Sequence, residues 1–221
     1  MVDMKTQSTA QDFFSADEQK QICDAVHLAE LKTSGELVPM LVCESHSYPL
    51  AAVRGGTLIA SLAALVGTPL IAGQFWLESS NLWIFLALFI PIFLLSHLII
   101  KIFPSFKRWF LFSSEKDEEV QNSAFTAFFT EKLYKTKDAN GILIYISLFE
   151  HRAWIIADSG ISERIPQEQW QDAIAVITEG IRKNEQCQAL CKAIAMIGDI
   201  LEKEFPIQDG DMNELHNLII R

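Results

Sequence analysis

At 221 residues, half of them apolar, and a formal net charge of −10, the chain is long enough for one domain with a sizeable core and a membrane element. The acidic balance excludes a binder of phosphate backbones, because such a protein needs a clustered basic face and none occurs, so nucleic acid is not an expected partner. Cys23, Cys43, Cys187 and Cys191 form no CxxC pair, and Cys187 and Cys191, at i and i+4, have no histidine nearby; the cysteines read as small buried hydrophobes in a reducing compartment, not as zinc ligands or a disulfide framework.

Residues 1–14 carry Asp3 and Asp12 and contain no apolar run, so they do not read as a secretory signal peptide. Ser15-Ala-Asp-Glu18 is a capping box that opens a helix with Ile22, Ala25, Val26 and Ala29 on one face, and Gly35 is the expected stop. Residues 36–43 (ELVPMLVC) are an apolar strand candidate whose Pro39 predicts an edge position or a bulge.

Two uncharged runs then occupy residues 57–77 and 82–100. Each approaches the ~20 residues that a helix needs to cross a hydrocarbon core about 30 Å thick. Neither shows a polar face at a 3.6-residue period, as a soluble helix would, so both read as membrane spans. The link Glu78-Ser-Ser-Asn81 between them is short enough for a tight hairpin, flanked by Trp76 and Trp83 at interfacial positions. Arg54 precedes the first span, and Lys101, Lys107 and Arg108 follow the second, with no positive charge in the link. The positive-inside rule therefore predicts both termini in the cytoplasm. Gly56, Ala60 and Ala64 form a small-residue stripe suited to packing of the hairpin on itself or, alternatively, to a homo-oligomer. No Asp, Glu, Lys or Arg lies within either span, which argues against a transport pathway. Residues 102–112 (IFPSFKRWFLF) mix aromatics with Lys107 and Arg108 and suit a collar lying in the interfacial plane.

Beyond the collar, residues 115–135 read as a helix carrying Val120, Ala124, Phe128 and Leu133, broken at Asn140-Gly141. Residues 141–149 and 152–157 read as a strand hairpin turning through Glu150-His151. Asp158-Ser-Gly160 turns the chain, and two helices follow, with Trp170, Ile174, Ile177 and Ile181 on one face and Leu190, Ile194, Ile197 and Leu201 on the other's. The order predicts an α/β fold with one mixed sheet and helices packed on it. The domain is expected in two parts, 1–54 and 104–206, around a transmembrane hairpin at 55–103, with residues 207–221 as a tail of weak structural signal.

No GxSxG, HExxH or GxxxxGK[ST] motif occurs, and no cysteine has an arginine six positions later, so a cysteine-phosphatase loop is absent. Asp209-Gly-Asp211-Met-Asn213 lacks the glycine and closing glutamate of an EF-hand and reads as a solvated tail. Asp138, Asp158 and Glu163 remain as candidate metal ligands at strand edges, where loops of a sheet converge. The plainer reading of Asp138 and Asp158 is that they cap turns beside Asn140 and Gly160.

Thr33-Ser-Gly-Glu36 before the first strand, Lys137-Asp138 and Asn140-Gly141-Ile-Leu-Ile before the second, Ser147-Leu-Phe-Glu-His-Arg152, and Ala157-Asp-Ser-Gly-Ile161 together resemble the TPM domain. The likeness runs from about residue 12 to 206, leaving out the spans, and is greatest to a bacterial branch of membrane proteins with an inserted transmembrane hairpin. It implies an α/β sandwich. Some relatives show weak acid phosphatase activity and bind calcium, and others act as accessory factors for membrane complexes. The chain departs from the pattern at Asp158, where many relatives carry glycine. The function expected is a membrane-anchored interaction or accessory module on the cytoplasmic face, with the lipid bilayer and a membrane protein as partners. The alternative is a weak, calcium-type acid phosphatase.

Overall fold

The computed structural model describes residues 13–74, 82–207, 215 and 217–221. Trp76, the link at 78–81, the acidic stretch at 209–213 and Asp12 lie outside the described residues. Two compact units emerge: one combines Met1–His46 with Lys116–Arg221, and the other is Ser47–Glu115.

In the first unit, helix α1 (Ala16–Glu30) starts on the expected capping box: Ser15 Oγ accepts the Glu18 N–H, and the Glu18 carboxylate accepts the Ser15 N–H at 2.9 Å. It ends at Leu31, earlier than Gly35 suggested. Gly35 instead lies in a buried bend where a Cβ would come within 3.0 Å of Leu201. Strand β1 (Glu36–Val42) follows, and after the second unit come helix α5 (Ser113–Thr130), β2 (Gly141–Ser147) and β3 (Arg152–Ala157). A short helix α6 (Ser159–Ser162), then α7 (Gln171–Lys183) and α8 (Gln186–Glu204), precede β4 (Ile219–Ile220).

The sheet has the order β3-β2-β1-β4. β1 is parallel to both β2 and β4, and β3 is antiparallel to β2. Every residue of β1 and β2 is buried, which explains their unbroken apolar runs. Leu37, Leu41, Ile142, Ile144 and Ile155 face a core completed by α1, α7 and α8. Val38, Met40, Leu143, Tyr145 and Ile156 face Val120, Ala124 and Phe128 of α5. The result is a three-layer α/β/α unit. Helices α7 and α8 approach closely, since a Cβ on Gly180 would fall 2.1 Å from the Cβ of Ala189.

Strand β4 was not legible in the tail, because two residues cannot display a period. It pairs only with Met40 and Leu41. Alternate N–H groups of β1 point away from β2, and on that side the Leu37 N–H is accepted by Glu30 Oε1 at 3.1 Å. Pro39, the next on that side, has no N–H to satisfy, and β4 begins beyond it. Its edge character is therefore local to one stretch of an otherwise interior strand.

In the second unit, α2 (Pro49–Gln74) and α3 (Leu82–Ile102) pack antiparallel. Gly55 meets Ile100, Gly56 meets Phe93 and His97, and Gly67 meets Leu88. The small stripe of Gly56, Ala60 and Ala64 is buried in this seam, continued by Thr68 and Ala72. Both helices are long and apolar enough to cross a membrane, by length and composition. The first begins at Pro49, eight residues before the uncharged run. Helix α4 (Pro104–Trp109) follows, with no buried residue. Arg54 donates to Glu115 at 2.6 Å and lies 5.3 Å from the ring centroid of Phe112.

Candidate functional site

Functional side chains of α/β sheets gather where strands end, and here both ends of the parallel pair β1–β2 are polar. At the amino end, Glu36 is opposite Gly141 in register, and the Asp158 N–H donates to the Gly141 carbonyl at 2.9 Å. Glu36, Gly141 and Asp158 thus form one row across three strands, on the α5 side of the sheet. Gly141 must be glycine in this row: a Cβ would sit 2.5 Å from the carbonyl oxygen of Leu133, which closes over the sheet there. Asn140 is buried beside it. Its side-chain amide donates to the Ser34 carbonyl, and its own N–H donates to Thr136 Oγ1 at 3.0 Å.

Of the predicted metal ligands, Asp158 is half-buried and Asp138 and Glu163 are exposed. Asp138 and Asp158 sit in loops that abut through their backbones: the Gly160 N–H donates to the Ala139 carbonyl at 3.1 Å, and a Cβ on Gly160 would lie 2.8 Å from the carbonyl oxygens of both Asp138 and Ala139. Asp158 caps α6, its Oδ1 accepting the Ser159 N–H at 2.6 Å, so its turn-capping reading has a direct structural counterpart. Glu163 ends that same short helix. Among the buried acceptors at this end, Asn140 Oδ1 and Asp158 Oδ2 have no hydrogen-bond partner. Oxygen is the donor type that calcium takes, but calcium takes six to eight of them. Among the described residues no group of three His, Cys, Asp or Glu side chains is placed to hold a metal ion.

At the carboxyl end the arrangement is different in kind. Glu150 is 2% exposed, yet its carboxylate is engaged from two directions. Oε1 accepts the Ser45 N–H at 3.0 Å and Oε2 accepts the Ser147 hydroxyl. The Ser45 hydroxyl lies 3.4 Å from the Tyr145 hydroxyl, and Ser123 of α5 donates to the Ser45 carbonyl at 3.1 Å. Burial pushes the Tyr145 phenol up from its ordinary value, with the nearby Glu150 adding to that and the Ser45 hydrogen bond opposing it. Around this, Arg152 pairs with Asp117 at 2.6 Å and His46 lies 3.7 Å from Glu119. The network ties the loop after β1, the β2–β3 turn and α5 together. Its polar groups hold backbone, which is structural chemistry.

Glu150 belongs to the Ser147-to-Arg152 motif, but no local pattern shows that it reaches Ser45, 105 positions away. The one available signal was a glutamate in a turn after an apolar strand, which usually means a solvated carboxylate. Burial pushes the Cys187 thiol up to about 11 and raises those of Cys191 and Cys23 as well.

Residues 102–200 match the family model described as the TPM domain. The fold is similar to the NMR structure of BA42 protein from the psychrophilic bacterium Bizionia argentinensis sp. nov., with a TM-score of 0.55 and 22% identity over 94% of each chain. At that identity the likeness concerns fold alone. No curated protein matches the sequence. The matched stretch starts at the last residue of α3, so it leaves out α1 and β1, which the structure nonetheless places in the same unit as β2 and β3.

Proposed function

We propose that this chain, with its TPM domain at residues 102–200, is a membrane-anchored interaction or accessory module displayed on the cytoplasmic face of a bacterial inner membrane. The observation that carries the reading is the inside-out distribution of side chains in the second unit. Small residues fill the seam between α2 and α3, whereas Leu58, Leu62, Leu65, Val66 and Leu70 of α2 and Leu94, Leu95 and Leu98 of α3 are exposed. Only 33% and 11% of the most apolar stretches of the two helices are buried. A core helix of a soluble protein buries most of such a stretch, and large apolar surfaces left outside need a cover that lipid supplies. The polar networks at both strand ends support an accessory role, since they hold backbone instead of presenting a nucleophile and a base.

The charges on Arg54, Lys101, Lys107 and Arg108 support cytoplasmic termini. A homo-oligomer through Gly56, Ala60 and Ala64 would have to displace α3 from that stripe, so self-association is better served by another face. In fractionated cells the full chain is expected to resist extraction by alkaline carbonate and to leave the membrane only in detergent. Single cysteines introduced at Ser79 in a cysteine-free background should label from the periplasmic side only. Release by carbonate, or labelling of that position from the cytoplasm, would overturn the anchor or its topology.

The second reading, a metal-assisted acid phosphatase, is favoured by one observation, the unpartnered Asn140 Oδ1 and Asp158 Oδ2. It requires calcium to raise the thermal midpoint of the purified full chain and to support phosphate release from an aryl phosphate, with both lost in Asp158→Ala. At a calcium concentration about 100-fold above the dissociation constant, stabilisation would reach about 2.7 kcal/mol. The accessory reading expects neither the shift nor turnover.

A further inference from the structure

The collar after the second apolar helix has more built into it than a hydrophobic belt requires. Phe103, Phe106 and Trp109 stand at i, i+3 and i+6 and form a ladder, with ring centroids 6.3 Å apart at both steps and edge-on geometry. They are 53%, 47% and 82% exposed, and α4 buries none of its residues. The ladder begins at the residue directly after α3 ends, so it continues the apolar surface of that helix. Lys107 and Arg108 occupy the last turn of α4, and Lys101 the last turn of α3.

Charge sets this segment apart from the rest of the chain. Residues 47–115 hold four of the 18 basic residues and two of the 28 acidic ones, a net of +2, which leaves −12 for the remainder. An acidic domain is repelled by an anionic surface, and the repulsion falls off over a Debye length of about 8 Å at physiological ionic strength. A basic segment confined to the membrane junction opposes that repulsion where it is strongest. Aromatic rings favour the interfacial depth, and Lys and Arg side chains reach from that depth to phosphate.

Resting on the membrane reading above, we infer that the collar formed by Lys101, Phe103, Phe106, Lys107, Arg108 and Trp109 is a binding surface for anionic phospholipid headgroups. The occupant is lipid and not a soluble acidic protein, because the basic groups flank a ring ladder that is continuous with a helix long and apolar enough to span the bilayer. Each basic residue near an anionic surface favours the charged lipid by about fivefold, and three together by on the order of a hundredfold at low salt.

The test uses the detergent-purified full chain exposed to equal amounts of phosphatidylglycerol and phosphatidylcholine, with bound lipid identified by native mass spectrometry. Phosphatidylglycerol should be enriched at least about tenfold, and the enrichment should shrink as salt rises. The combined variant Lys101→Gln, Lys107→Gln, Arg108→Gln should lose it. The control Lys183→Gln, Lys192→Gln, Lys203→Gln removes the same charge from α7 and α8 and should keep it. Equal binding of the two lipids by the unaltered chain, enrichment that survives the collar variant, or enrichment lost in the control would overturn the inference. Carbonate resistance of the same chain reads the anchor separately: a resistant chain without headgroup preference sinks only this inference, whereas a chain released by carbonate sinks the anchor as well.

Discussion

Glu150→Leu should lower the thermal midpoint of the detergent-purified full chain by about 6–12 °C, read from the melting of the sheet by circular dichroism. The carboxylate is buried and accepts from the Ser45 N–H and the Ser147 hydroxyl. Removing a charged acceptor strands both donors away from water, at about 1.5 kcal/mol or more each, so the total is about 3 kcal/mol. For a chain of this length each kcal/mol moves the midpoint by about 2–4 °C. Glu150→Gln retains an acceptor oxygen of nearly the same shape and should lose less than half as much. If leucine were tolerated as well as glutamine, Glu150 would not be the clamp that the geometry describes. A decoupled effect is expected at Ser123→Ala, which loses one hydrogen bond to the Ser45 carbonyl and leaves the carboxylate in place.

Trp170→Ala should cost about as much or more, by a different route. The indole is fully buried in the core shared by α1, α7, α8 and one face of the sheet. Truncating a buried tryptophan to alanine removes its transfer free energy and leaves a cavity, together about 3–5 kcal/mol. Against a typical domain stability of 5–15 kcal/mol, that approaches the whole margin for folding. A urea titration of the full chain in detergent should show the midpoint of the first unit shifted far to lower denaturant. Trp109→Ala is the internal comparison: the same substitution at a residue 82% exposed leaves no cavity and should leave that midpoint unchanged. Equal effects at the two positions would contradict the burial pattern. The contrast also separates stability from surface function, since Trp109 belongs to the collar and its loss should register in lipid binding alone.

Residue type and spacing decided much of this protein before any tertiary contact was considered. The capping box at Ser15 and Glu18 is local, closing over three residues, and it starts α1 where the sequence places it. Two uncharged runs of about twenty residues could only be helices once their hydropathy is set against the cost of unpaired backbone in lipid. The unbroken apolar run of β2 marked a strand hairpin, because a strand buried on both faces tolerates no polar alternation, although β2 ends at Ser147 and the turn takes in residues 148–151, two residues more than Glu150-His151.

Tertiary structure decided what depends on residues far apart in the chain. The helix expected to stop at Gly35 stops at Leu31, and the glycine serves a close approach to Leu201 that no local pattern encodes. β4 exists only because Met40 and Leu41 offer it an open edge past Pro39. Asp138, Asp158 and Glu163 were legible as acidic residues at strand ends, but their placement relative to one another came from Gly160 and Gly141. Those two glycines let backbone carbonyls close in where any side chain would collide. Glu150, read alone, is a carboxylate in a turn. Only the parallel pairing of β1 with β2, across an insertion long enough to cross a membrane twice, brings Ser45 within hydrogen-bond distance and makes it a clamp.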